Sequence, residues 1–94
     1  MLEITVGAND EIILAGRFDA AEAEKARKVF LSFTDAKTID FSRLDYISSA
    51  GLGVLLAAQK QLSEHGKGLR LVNVKSHIRD VLHFSGFDQI FEMG

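Results

Sequence analysis

Apolar and polar residues alternate at the start of the chain, over residues 2–6. This two-residue period predicts a half-buried β-strand. A turn-forming cluster at 7–10 then leads into a second apolar run at 11–15. Because so short a link cannot hold a crossover, we expect an antiparallel hairpin, which residues 16–18 close.

Three later segments have apolar residues at the period of an amphipathic helix. The first begins at Asp19, which together with Glu22 predicts a capping box, and its apolar stripe is Ala23, Ala26, Phe30 and Phe33. The second follows Ser49 and ends at Gly66, a left-handed cap; its core stripe is Leu52, Leu55, Leu56, Gln59 and Leu62, widened by Val54 and Ala58. The third is short and is capped by Ser76; Ile78, Val81, Leu82 and Ser85 share one side of it.

Short apolar runs between these helices predict three more strands. They lie at 38–41, before a connecting loop at 42–46, then at 69–74 and at 90–91. The run at 69–74 is apolar on both faces, which is expected of a strand covered on two sides. The order β-β-α-β-α-β-α-β indicates a single α/β domain over residues 1–94, with helices packed on a mixed, mostly parallel sheet of about four to five strands.

Composition excludes several classes of function. The chain has 94 residues, of which 47% are hydrophobic and 26% charged, as in an ordinary globular domain. Its net charge of −2 gives no basic excess, so nucleic acid is not expected as a direct partner. With no cysteine there are no disulfides or thiolate metal sites, which fits a reducing cytoplasm. We expect a cytoplasmic protein without a signal peptide or a membrane-inserted segment.

Patterns for catalysis and metal binding are weak. Residues 51–53 begin like a dinucleotide-binding loop, but Leu56 stands where the third glycine belongs. His77 and His83 are six residues apart, on different sides of a helix, so they make a poor metal pair. We expect them, like His65, to be surface or boundary residues, and we expect no enzyme, no metal and no cofactor.

Two serines, Ser48 and Ser49, stand directly before the second helix. A serine oxygen at a helix start accepts hydrogen bonds from free backbone N–H groups, and the partial positive charge there favours a phosphate on an exposed hydroxyl. Gly51 and Gly53 leave the backbone bare, so that a partner can approach closely. Asp19, at the end of a strand, is a helix cap, a neighbour of this site, or both.

Four segments in the right order resemble the STAS domains of anti-sigma-factor antagonists. They are Ala15–Asp19, Ile39–Ser42, Ser48–Val54 and Phe84–Phe87. The resemblance covers nearly the whole chain. It implies a STAS fold and a bacterial phosphoprotein that regulates transcription by switching partners.

The resemblance also implies roles for single residues. Ser49 takes the phosphoacceptor position, Ala50 the Ser/Thr position after it and Gly51 the family's glycine. Ser48 stands where the best-known members carry aspartate, which makes it the second choice for the phosphoacceptor. We favour Ser49 because a hydroxyl at the helix start both caps and faces outward. The alternative is that both serines only form the turn and the cap. The partner-binding residues implied are Asp19, Asp45, Ser48, Ser49, Ala50, Gly51, Leu52 and Gly53.

In the family that the chain resembles, the unphosphorylated domain binds an anti-sigma factor that is itself a serine kinase, and so frees a sigma factor. Phosphorylation ends binding, and a PP2C-type phosphatase restores it. STAS domains also serve as non-catalytic subunits of ABC lipid transporters or of stressosome-like assemblies. In that alternative function, the helix face is a permanent docking surface.

Overall fold

The computed structural model describes all 94 residues. Its strands are β1 (Leu2–Val6), β2 (Ile12–Phe18), β3 (Lys37–Ile47), β4 (Leu69–Val72) and β5 (Glu92–Met93). Its helices are α1 (Ala23–Phe30), α2 (Ser49–Ser63) and α3 (Ser76–Phe84), with 3₁₀ turns at Ala20–Glu22 and Phe87–Gln89. The predicted order of strands and helices is confirmed.

The five strands form one sheet in the order β1-β2-β3-β4-β5. β1 and β2 are antiparallel, which confirms the predicted hairpin, and every other neighbouring pair is parallel. The residues expected to close the hairpin, 16–18, instead continue β2 and pair with β3. The last strand is Glu92–Met93, so it begins two residues later than the predicted strand at 90–91.

One face of the sheet carries the core. Ile12 pairs with Ile39, and Ile39 pairs with Leu71, so these buried side chains lie side by side on the same face. Together with the buried faces of the helices they belong to a single cluster of 22 apolar residues. Phe18 and Phe30 are fully buried within it, with ring centroids 6.4 Å apart. Burial of each such ring stabilises the fold by about 1.5–3 kcal/mol.

The other face, called the open face below, lies toward solvent. Arg70 is exposed between the buried Leu69 and Leu71 of β4, and Asp40 of β3 is half-buried on this face beside Val72. The prediction that β4 is apolar on both faces is therefore wrong. Its second residue, Arg70, belongs to the face that no helix covers.

β3 has eleven residues and runs through the segment at 42–46 that was predicted as a loop. Ile13 and Ala15 of β2 lie opposite Asp40 and Arg43 of β3, so β3 has one extra residue there. A second shift of one residue follows nearer the end of the strand. These β-bulges let one strand continue to the carboxyl edge of the sheet.

Asp40 holds the first bulge. Its Oδ1 accepts a hydrogen bond from the Ser42 backbone N–H at 2.8 Å and another from Asn73 Nδ2 at 3.2 Å. Partial burial raises the pKa of Asp40, but the hydrogen bonds from Ser42 and Asn73 and the charge of Arg43 outweigh it, so the net pKa lies below its usual value.

α2 is the most buried helix. Its buried residues are Gly51, Leu52, Val54, Leu55, Ala58 and Leu62. Most of the predicted stripe is confirmed, although Leu56 and Gln59 are only half-buried. The helical segment ends at Gly66 with φ of +72°, as predicted. α3 begins at Ser76 without a side-chain cap, and only Ile78 and Leu82 of its predicted stripe are buried. None of the helices combines the length and the hydropathy needed to cross a membrane.

Candidate phosphoacceptor and docking site

β2 and β3 end together at the carboxyl edge of the sheet. Phe18 pairs with Ile47, and the Ser48 backbone N–H donates to the Phe18 carbonyl oxygen at 2.9 Å. Asp19 and Ser48 are the next residues of the two strands. The parallel register therefore brings together an acid and a serine that are far apart in the sequence.

Ser48 is the cap of α2. Its backbone is extended, with φ of −91° and ψ of 171°, and its Oγ accepts a hydrogen bond from the Gly51 N–H at 3.2 Å. The expectation that Ser49 caps the helix is wrong by one residue, because the helix begins at Ser49 itself. The Ser48 hydroxyl is thus engaged within the chain and half-buried.

Ser49 is the first residue of α2, and it is exposed. Its hydroxyl has no hydrogen-bond partner within the chain, whereas that of Ser48 is held by the cap. It lies at the positive end of a fifteen-residue helix. Of the two serines, Ser49 is the one whose oxygen is free to react.

Small residues shape the surface behind Ser49. A Cβ on Gly51 would lie 2.9 Å from Ile47 Cγ1 and 3.0 Å from the Phe18 ring, so glycine lets α2 pack closely on the strand ends. Gly51 is buried, and its bare backbone faces the core instead of a partner. Leu52 is buried as well, while Ala50 and Gly53 are half-buried. A Cβ on Gly53 would meet nothing within 4 Å.

Asp19 does not cap a helix. Its side chain makes no capping hydrogen bond, and its buried Oδ1 has no partner. Glu22, the other half of the predicted capping box, accepts a hydrogen bond from the Leu2 N–H at 3.1 Å instead. Leu2 lies on an edge strand, where its backbone N–H has no partner in the sheet and can donate to the Glu22 carboxylate. The capping box is therefore wrong, and Asp19 has a buried carboxylate oxygen without a hydrogen-bond partner at this edge.

Asp45 is held by residues near the start of α3. Its carboxylate binds Lys75 Nζ at 3.0 Å, and its carbonyl oxygen lies 2.8 Å from His77 Nε2, which donates in the tautomer that fits. Asp45 is exposed and remains close in sequence to the serines. No local pattern predicts these two contacts, because they join segments 30 and 32 residues apart in the chain.

Other chemistry is sparse in the structure. All three histidines are exposed, as predicted, and His83 Nδ1 binds Asp88 Oδ2 at 2.9 Å. No group of three or more histidine, aspartate or glutamate side chains is placed to hold a metal ion. A cavity of about 460 Å³ lies at the far end of α2, lined by Phe33, Thr34, Gln61, Leu62, His65 and Lys67. The two serines at the start of α2 are therefore the strongest candidate site.

Comparison with known proteins identifies the family of the domain. The sequence profile described as "Mlab, STAS domain" matches residues 4–93. BtrV of Bordetella bronchiseptica, whose name describes it as an anti-sigma factor antagonist, is 36% identical over 97 residues. That alignment covers 96% of this chain and 84% of BtrV.

Two solved structures share the fold. One, described as an anti-sigma factor antagonist of Thermotoga maritima, matches with a TM-score of 0.81 at 23% identity, over 99% of this chain and 85% of that chain. The Bacillus cell fate determinant SpoIIAA in its phosphorylated form matches with a TM-score of 0.70 at 20% identity, over 100% of this chain and 91% of that one. Taken with the profile match and the identity to BtrV, they show that the chain belongs to the STAS domain family.

Proposed function

We propose that the protein is an anti-sigma factor antagonist whose binding to an anti-sigma factor is controlled by phosphorylation of Ser49. The observation that carries the proposal is the exposed Ser49 hydroxyl, without a partner in the chain, at the N-terminus of α2. The name of BtrV and the phosphorylated form of SpoIIAA support it.

The structure supports a switch that acts outward. A phosphate on Ser49 would add about −1.5 to −2 charge at a helix N-terminus, where negative charge is stabilising by about 0.3–1 kcal/mol. The cap on Ser48 would stay in place because Ser49 takes no part in it. The fold therefore survives phosphorylation. The new charge and bulk instead act on whatever protein lies against the start of α2.

In this proposal the docking surface has an outer and an inner part. Ser49, Ala50 and Gly53 contact the partner, with Asp19 and Asp45 as acidic neighbours. Gly51 and Leu52 are buried, and their packing determines how closely α2 lies on the strand ends. The protein itself is non-catalytic: the anti-sigma factor, a serine kinase, adds the phosphate and a PP2C-type phosphatase removes it. The switch controls sigma-factor-dependent transcription in a bacterial cytoplasm.

The test is a pull-down from lysate of the cells that make the protein, with wild type, Ser49→Ala and Ser49→Asp as baits. We expect wild type and Ser49→Ala to capture an anti-sigma factor with serine kinase activity, and Ser49→Asp to release it. Ser76 gives a matched control because it is also the exposed first residue of a helix, α3. Ser76→Asp adds the same charge in the same local setting and should still capture the kinase.

The same experiment separates the alternative function. If all baits capture one permease or scaffold equally, and no phosphate is found on the protein, the domain is a permanent subunit of an ABC lipid transporter or a stressosome-like assembly. If Ser76→Asp releases the kinase as fully as Ser49→Asp does, the effect is one of net charge, and the assignment to Ser49 is wrong.

A further inference from the structure

The open face carries a group of three side chains near the carboxyl edge, called the arginine–tyrosine cluster: Arg17, Arg43 and Tyr46. Arg17 of β2 pairs with Tyr46 of β3, and Arg43 pairs with Ala15, two residues before Arg17. Arg17 and Arg43 are therefore neighbours on adjacent strands of the same face. All three side chains are exposed.

Arg17 is held on the tyrosine ring. Its guanidinium carbon lies 4.3 Å from the centre of the Tyr46 ring, in cation–π contact. Stacking uses the flat face of the guanidinium and leaves its N–H edges for another ligand. Those edges match a carboxylate, which accepts two parallel hydrogen bonds from one arginine. Because the ring already restricts the side chain, less conformational entropy is lost when such a ligand binds.

Neither arginine has an acidic partner within the chain. No ion pair in the structure involves Arg17 or Arg43. Asp40 lies close enough for its pKa to respond to Arg43, but its Oδ1 is taken by Ser42 and Asn73. Glu3, across from Ala15 on β1, is exposed and makes no ion pair. Two neighbouring positive charges repel each other, and Asp40, whose pKa responds to Arg43, forms an ion pair with neither arginine.

We propose that the arginine–tyrosine cluster binds an acidic segment of a partner protein through its carboxylates. A short acidic peptide fits better than a nucleic acid for two reasons. The cluster holds only two cations, and the chain as a whole carries a net charge of −2. Glu3 of β1 and Asp40 of β3 lie on the strands beside it and would repel a long phosphate backbone that extends past the two arginines. This surface goes beyond the proposed switch and does not depend on Ser49.

The fluorescence of Tyr46 can be used to detect binding at the cluster. It is the only tyrosine, and the chain has no tryptophan, so tyrosine fluorescence reports on this cluster alone. The purified protein is titrated at low salt with an oligoglutamate peptide, and with an oligoglutamine peptide of the same length as the neutral probe. We expect a saturable change in fluorescence with oligoglutamate only, and weaker binding as salt is added.

Arg43→Glu is the test variant because it leaves the stack of Arg17 on Tyr46 in place. Arg70→Glu is its matched control, because it makes the same change in net charge on the same face. Arg70 lies beside Thr38, which is about 16 Å from Arg43 along β3. We expect Arg43→Ala to weaken oligoglutamate binding by about two- to fivefold, and Arg43→Glu by more. Arg70→Glu should bind as wild type does.

Three results would overturn the proposal. The first is an unchanged fluorescence of wild type with oligoglutamate, and the second is an equal loss of binding in Arg43→Glu and Arg70→Glu. The third is tighter binding of a single-stranded oligonucleotide than of oligoglutamate, which would assign the cluster to nucleic acid. Circular dichroism of each variant confirms that the fold is intact.

Discussion

Removing the Ser48 hydroxyl tests how the start of α2 is built. In Ser48→Ala the Gly51 N–H loses its acceptor, and because Gly51 is buried, water cannot easily replace it. Loss of a serine N-cap costs about 1 kcal/mol. For a domain of this size, 1 kcal/mol corresponds to a fall in Tm of about 4–8 °C.

Ser49→Ala provides the comparison. Ser49 is exposed and makes no hydrogen bond in the chain, so we expect its free energy of unfolding to stay within about 0.5 kcal/mol of wild type. Ser48→Asp restores the cap, since aspartate caps as well as serine does, and it should recover most of the lost stability. The stabilities of the three variants therefore assign the cap without any knowledge of the partner.

Urea and thermal unfolding, followed by far-ultraviolet circular dichroism, measure these differences. Equal m-values across the variants show that only stability has changed. If Ser49→Ala were the more destabilised of the two alanine variants, Ser49 would be the cap. Its hydroxyl would then not be free for phosphorylation, and the reasoning behind the proposed switch would fail.

Further predictions concern the two glycines of α2 and the bulge in β3. Gly51→Ala should destabilise the domain by about 1–3 kcal/mol, because the new Cβ would lie 2.9 Å from Ile47 Cγ1. Gly53→Ala should stabilise it by up to about 1 kcal/mol, since nothing lies within 4 Å of the new Cβ; urea unfolding that gave both variants the same sign would contradict this account. Asp40 has a lowered pKa in the folded state, so its carboxylate contributes stability above the unfolded pKa of about 3.8, and this is lost as pH falls through the folded value. Asp40→Asn should therefore be less stable than wild type at neutral pH, with a gap that narrows in acid; a gap independent of pH would show that the charge plays no part.

The sequence predicts the order of strands and helices well, because apolar residues recur at the regular spacing of a helix or a strand wherever no bulge interrupts it. β3 is the exception. Its buried residues, Ile39, Phe41, Leu44 and Ile47, are spaced by two, three and three, because each bulge adds one residue. This spacing breaks the two-residue alternation that marks a strand. The segment at 42–46 therefore resembled a loop.

The sequence predicts a candidate site at Ser48 and Ser49, but the hydrogen bonds around it depend on contacts between distant segments. A serine pair before an apolar helix predicts a cap, yet which serine caps depends on where β3 ends. The capping box failed because Glu22 is drawn to the free Leu2 N–H of β1. The stack of Arg17 on Tyr46 follows from strand register, which no local pattern contains.

The most direct test of the central claim is to map phosphate on the protein isolated from the cells that make it, and to compare the folds of the phosphorylated and unphosphorylated forms. We expect a single phosphate on Ser49, with the far-ultraviolet circular dichroism and the Tm of the unmodified protein retained. Phosphate on Ser48, or a collapsed fold on modification of Ser49, would contradict it.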